Sequence, residues 1–129
     1  MNDRLLRFSL RANATFSAFC AAACIVAAGP LAAAFGVPGA AWLMALGVGL
    51  LLFAAGVLSL SLASTIPTGV AWGVVAADAL WVIGTVPLLG LVPLTHAGFW
   101  VALGVADMVL LFAVLQSLGI LRLRRAVVA

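Results

Sequence analysis

The chain has no lysine, no glutamate and no tyrosine, and its only acids are three aspartates, Asp3, Asp78 and Asp107. It has one histidine, His96, and two cysteines, Cys20 and Cys24. That poverty excludes a good deal. No nucleophile–base–orienter set, phosphate-binding loop or metal-ligand cluster can be drawn from it, so no catalytic or metal-binding residue is assigned, no cofactor is expected, and the chain does not read as an enzyme. One histidine cannot supply bis-histidine haem ligation. Cys20 and Cys24 are spaced one helical turn apart, which is neither the redox spacing C-x-x-C nor a good geometry for a disulfide. They read as small buried hydrophobes, and a redox or quinone-type site built on Cys20, Cys24 and His96 ranks last among the possible functions.

Charge is also scarce. Charged residues make up 7% of the 129 residues and hydrophobic ones 67%, against roughly 45–50% apolar in soluble domains. Such a chain is an integral membrane protein. All six cations are arginines at the ends: Arg4, Arg7 and Arg11 before the first apolar segment, Arg122, Arg124 and Arg125 after the last. A nucleic-acid binder needs a basic face on a folded surface, and nothing here provides one. The arginines read as charges flanking membrane spans, and the positive-inside rule puts both clusters in the cytoplasm. That requires an even number of crossings.

Four apolar segments supply it. They run from about 12–28, 40–63, 67–91 and 96–118 and form a single domain covering 1–129, an all-α membrane-embedded four-helix bundle with both termini inside. Each is near the roughly 20 residues that a span needs. Arg4 to Arg11 is an amphipathic lead whose arginines can snorkel to lipid phosphates. Gly29-Pro30 ends or kinks the first helix, Pro30 to Phe35 forms a short interfacial turn, and Gly36-Val-Pro38-Gly39 is a turn by composition. Thr95 is placed to cap the fourth helix. Short loops make sequential helices antiparallel neighbours. A cleaved signal peptide is the rival reading of the first segment, with Ala32-Ala-Ala34 as the cleavage site. It would leave three crossings and break the agreement with the arginines.

Two segments share a pattern. Gly69, Gly73 and Ala77 lead to Asp78, and Gly98, Ala102 and Ala106 lead to Asp107. Small residues every fourth position let helices approach closely, so these faces are candidate surfaces for a homodimer or for a larger membrane complex. Each acid lies ~13–14 Å along its helix from the glycine, near the middle of a core about 30 Å thick. Asp78, Trp81 and Thr85 share one stripe; His96, Trp100 and Asp107 share another. If the stripes face each other they line a path to an acid pair, and two carboxylates at close range cannot both be charged cheaply. Asn13, Thr15 and Ser17 share the cytoplasmic layer with Gln116 and Ser117, as an interhelical hydrogen-bond layer would. A weak internal repeat pairs Ala45-Leu-Gly47-Val48 with Ala102-Leu-Gly104-Val105, as if a helical hairpin were used twice in parallel.

Asn13-x-x-Phe16-Ser17 after the basic lead, Asp78-x-x-Trp81-Val82-x-Gly84, and the arginine tail after Gln116 resemble a family of small, uncharacterised four-helix bacterial inner-membrane proteins. The resemblance implies four crossings and a place in the inner membrane, and no activity. A non-enzymatic accessory or interaction protein, with the lipid bilayer and membrane partners as its surroundings, is the leading reading. The alternative is a minimal proton-coupled exchanger using Asp78 and Asp107, with Trp81 and Trp100 as a cation-binding wall. In size and helix number the chain is similar to the small multidrug transporters, but it lacks an acid in the first helix.

Overall fold

The computed structural model describes residues 3–128, and every regular element among them is a helix: α1 Arg4–Val26, α2 Ala28–Phe35, α3 Ala40–Leu62, α4 Thr68–Leu91 and α5 His96–Val128. All but α2 are long and apolar enough to cross a membrane. Two boundaries differ from the sequence reading. Helix α1 begins at Arg4, not near residue 12, because Leu6 and Leu10 of the arginine-bearing lead are fully buried and extend the packed face by two turns. Helix α5 runs past Leu118 through the arginines to Val128. Leu, Arg and Ala are strong helix formers, and Gly119 and Ile120 are still buried there.

The first span ends at Ala27, one turn before Pro30. Pro30 then sits in the first turn of α2, where its missing N–H costs no hydrogen bond. Gly36 closes α2 with φ 74° and Gly39 turns the chain into α3 with φ 93°, both left-handed conformations that favour glycine. Thr95 does cap α5: its hydroxyl oxygen accepts the Gly98 N–H at 3.0 Å and its O–H donates to the Ala34 carbonyl of α2. Pro87 lies inside α4 without ending it.

Helix α1 packs along α3 and α5, and α4 packs along α5. The sequential-neighbour rule therefore holds for α1–α3 and α4–α5 and fails for α3–α4. The reason lies in the loop 63–67. Arg7 donates to the carbonyls of Ser61, Ala63 and Ser64 at 2.8, 2.7 and 3.1 Å, and Ile66 is buried in one cluster with Leu6, Leu10, Val57, Val74 and Ile120. The loop is thus drawn across the start of α1, and α1 and α5 together separate the two helices. The guanidinium also satisfies carbonyls at the end of α3 that the helix itself leaves open. Its Nε donates to Asp3 at 2.7 Å, and that bond holds the Asp3 carboxyl below its ordinary value of 3.8. This pairing is present above that value and is lost as the pH falls through the lowered one.

Three close approaches fix the helix spacing. A Cβ on Gly119 would lie 2.8 Å from Leu6 Cα, one on Gly47 3.0 Å from the Ala21 carbonyl oxygen, and one on Gly98 2.8 Å from the Phe35 carbonyl oxygen. Leu6 against Gly119 also brings the starts of α1 and the end of α5 together, so both arginine clusters lie at one end of the bundle.

Two outcomes follow. Gly119→Ala should lower thermal stability in detergent by about 1–3 kcal/mol through overpacking against backbone, whereas Gly104→Ala, with open space around it, should be neutral or stabilising. Arg7→Lys should cost stability because an ammonium cannot span three carbonyls and a carboxylate as the guanidinium fork does, whereas Arg4→Lys should not. Thermal unfolding of the purified variants checks both.

Candidate functional site

The site that forms is centred on Asp78 alone. Its carboxylate is 3% exposed, and its Oδ2 accepts the Asn13 Nδ2–H of α1 at 2.9 Å and the Gln116 Nε2–H of α5 at 3.2 Å. Ser17, one turn along α1, donates its O–H to Asn13 Oδ1 at 3.2 Å. Four polar side chains from three helices thus make one buried network. Amide donors aimed at a carboxylate are what a charge needs in place of water, because charge-assisted hydrogen bonds are the strong ones.

Helical spacing explains the convergence. Asp78 follows Gly69 by nine residues and Asn13 follows Arg4 by nine, so both lie ~13–14 Å from the arginine end. Apolar layers close the network on both sides. Toward the arginines are Leu10, Val74 and Ile120, one turn from Asn13, Asp78 and Gln116. Toward the far end Phe16 and Phe112 meet at a ring separation of 5.6 Å. With water excluded, hydrogen bonds here are stronger and any unpaired polar atom is costlier. One such atom exists: Gln116 Oε1 is fully buried and has no hydrogen-bond partner.

The other expected site residues are dispersed. Thr85 is buried on the Asp78 stripe, but its hydroxyl donates to the Trp81 carbonyl of its own helix at 2.8 Å. Trp81 is half-buried. His96, Trp100 and Asp107 do share a stripe, and it faces outward: all three are exposed. The Trp100 indole N–H donates to His96 Nε2 at 3.1 Å, so that pair satisfies itself. Asp107 precedes Gln116 by nine residues, which places it about half a turn away, on the opposite face of α5. The facing acid pair is therefore not formed. The physical reason is both depth and rotation: Gln116, which bonds Asp78, lies nine residues or about 13 Å along α5 from Asp107, so Asp107 is neither level with Asp78 nor on the face that α5 turns toward it.

The small-residue faces also part company. Gly98 and Ala106 are buried inside the bundle, with Gly98 against Phe35. Gly69, Gly73 and Ala77 all lie on the exposed side of α4. Of the polar layer drawn from the sequence, Asn13, Ser17 and Gln116 meet. Thr15 and Ser117 instead bond back to carbonyls of their own helices. Cys20 and Cys24 are free and half-buried. The inclusion of Asp78 in the Asn13 layer was not read from the sequence, because a first span beginning near residue 12 left Asn13 at its cytoplasmic edge; the nine-residue count applies to both only once α1 begins at Arg4.

Asp78→Leu should destabilise the bundle by several kcal/mol, since it strands two buried amide donors at about 1–3 kcal/mol each. Asp78→Asn keeps an acceptor and should cost less. Adding Asn13→Leu to Asp78→Leu should cost less than the two single losses summed, with a coupling of about 0.5–3 kcal/mol in a double-mutant cycle. Additivity would mean that the Asn13–Asp78 bond carries no energy. No family model, curated protein or solved structure matches the chain, so the reading of its sites rests on their own chemistry.

Proposed function

We propose that this chain is a multi-pass protein of a bacterial inner membrane, with both termini cytoplasmic, that works by binding another transmembrane helix and not by catalysis. The observation that carries the reading is the position of Asp107. It lies eleven residues after His96, the first residue of α5, and is exposed, so in a bilayer it faces the acyl chains within the apolar span, about 13 Å along α5 from the layer of Gln116 and Asp78. An acid within the apolar span is costly, up to ~2.5–3.5 kcal/mol at the bilayer centre on insertion scales, and ordinarily faces protein.

The residues around it support a helix as the occupant. Trp100, Gly104, Asp107, Leu111, Val114 and Leu118 are all exposed and recur in steps of four and three. That is the seam along which a second helix packs left-handed. Gly104 has open space where a Cβ would stand, which lets a partner backbone come close to the acid. Charge complementarity selects the partner: a helix with a basic side chain at the depth of Asp107. A second copy of this chain cannot provide it, because all six arginines lie in the two end clusters. The cytoplasmic placement of the termini rests on both clusters sharing one end and on the positive-inside rule. The parallel hairpin repeat remains part of the same reading, with α3 and α5 as its matching helices. No observation favours the exchanger with a facing acid pair.

A synthetic membrane helix tests this. A leucine–alanine span with one central lysine should show energy transfer to the labelled protein in lipid vesicles, and the same span with a central leucine should not. Asp107→Leu should abolish the difference. Equal transfer from both spans, or transfer independent of Asp107, overturns the reading. So does homodimer cross-linking along the Leu111 seam in the absence of lysine-helix binding, which would make a second copy the occupant.

A further inference from the structure

We propose that the Asp78 centre is a binding site for one monovalent cation, held between the Asp78 carboxylate and the Gln116 amide oxygen. The proposal is independent of the helix-docking face, which lies on the other side of α5. Two observations point to it. The first is charge. Asp78 is buried at mid-depth, and the groups that face it are neutral: Asn13 and Ser17 from α1 and Gln116 from α5. None of these titrates, and no described cation reaches it: Arg7 is bonded to the 61–64 carbonyls and Asp3, Arg4 and Arg11 are exposed, and the α5 arginines lie beyond Ile120. Two amide donors soften the burial of a negative charge but do not cancel it, and an uncompensated buried ion costs several kcal/mol.

The second observation is the orphaned acceptor. Gln116 Oε1 is fully buried with no donor in reach, on the same amide whose nitrogen already bonds Asp78. Buried polar atoms are nearly always paired. A single positive centre between this oxygen and the carboxylate meets both deficits at once. Its chemistry is bounded by the ligands. They are all hard oxygens, supplied by one carboxylate, one amide carbonyl and, one turn away, the Asn13–Ser17 pair, which suits a hard cation and not a soft metal. There is one formal negative charge, so a divalent ion would leave a net positive charge in the apolar layer. What fits is a proton or a dehydrated alkali ion.

The two sources separate in one experiment on the full chain in lipid nanodiscs. Infrared difference spectra, with the glutamine carbonyl isotopically labelled, are recorded on exchanging choline chloride for sodium chloride at fixed pH, and then on changing the pH between about 5 and 9 without sodium. A sodium-dependent shift of the Gln116 carbonyl band, lost in Asp78→Asn, assigns an alkali ion. In that case the thermal midpoint should also rise with the logarithm of sodium concentration. A shift with pH alone, in which the Gln116 band moves together with an Asp78 carboxyl band, assigns a proton. If Asp78→Asn fails to fold, Gln116→Met removes the oxygen ligand while keeping the carboxylate, and it should weaken the response, read on the Asp78 carboxyl band and the thermal midpoint, at least tenfold. A Gln116 band that is unmoved by sodium and by pH overturns the proposal. So does a response that persists unchanged in Gln116→Met.

Discussion

The bundle depends on a buried carboxylate that three helices must satisfy together. Helix α4 buries little else: of its residues only Ala71, Val74, Asp78 and Thr85 are buried. In a bilayer the apolar remainder of α4 gains nothing by choosing protein over lipid, because acyl chains are as apolar as leucine. Asp78 is different. Separated from Asn13 and Gln116 it would meet lipid, and the cost of that exposure is what gives α4 a defined place and rotation. The same bonds tie α1 to α5, already drawn together where Leu6 meets Gly119. Polar bonds supply position and close glycine contacts supply distance.

Seen this way, the two membrane acids have opposite environments for one physical reason. Each is too costly to leave to lipid. Asp78 is hydrogen-bonded within the chain, whereas Asp107 has no such neighbours and its helix turns it outward along a regular seam. The glycine-rich faces divide likewise. Gly98 is consumed by Phe35, and Gly69 and Gly73 are left open. A chain of this size has spent one polar group on its own assembly and kept the other on its surface.

Much of this was legible in the sequence. Apolar runs and terminal arginines gave the number of spans, and Thr95 and the Gly36–Gly39 turn were marked by residue type alone. Depth was legible only in part: the sequence put Asp78 level with Asp107 near the middle and Asn13 with Gln116 in a separate cytoplasmic layer, whereas Asp78, Asn13 and Gln116 share one level. Rotation was not. A hydrophobic pattern reports which face is polar only when the other faces differ from it, and in α3 and α4 lipid-facing and protein-facing residues are alike Leu, Val, Ala and Gly. The pairing of Asp78 with Asp107 was one of several rotations compatible with the stripes. What decides against it is Gln116, which bonds Asp78 from the face of α5 opposite Asp107 and about 13 Å along the helix from it. The separation of α3 from α4 was hidden for another reason. It follows from Arg7 gripping the loop 63–67, a contact between segments far apart in the chain that no local pattern records.

The separation of α3 from α4 by α1 and α5 has a consequence for how the protein is made. Spans enter the membrane in the order of synthesis, so Asn13 is inserted first, Asp78 much later, and Gln116 later still. The hairpin of α3 and α4 cannot close on itself in the meantime, because its two arms are not neighbours in the finished bundle. Until α5 arrives, the carboxylate has at most one of its two amide donors, and α4 has no firm partner along its length. Assembly is therefore gated at its last step, and for as long as synthesis is under way the nascent chain holds an unfinished polar centre that insertion factors or lipid headgroups must shelter.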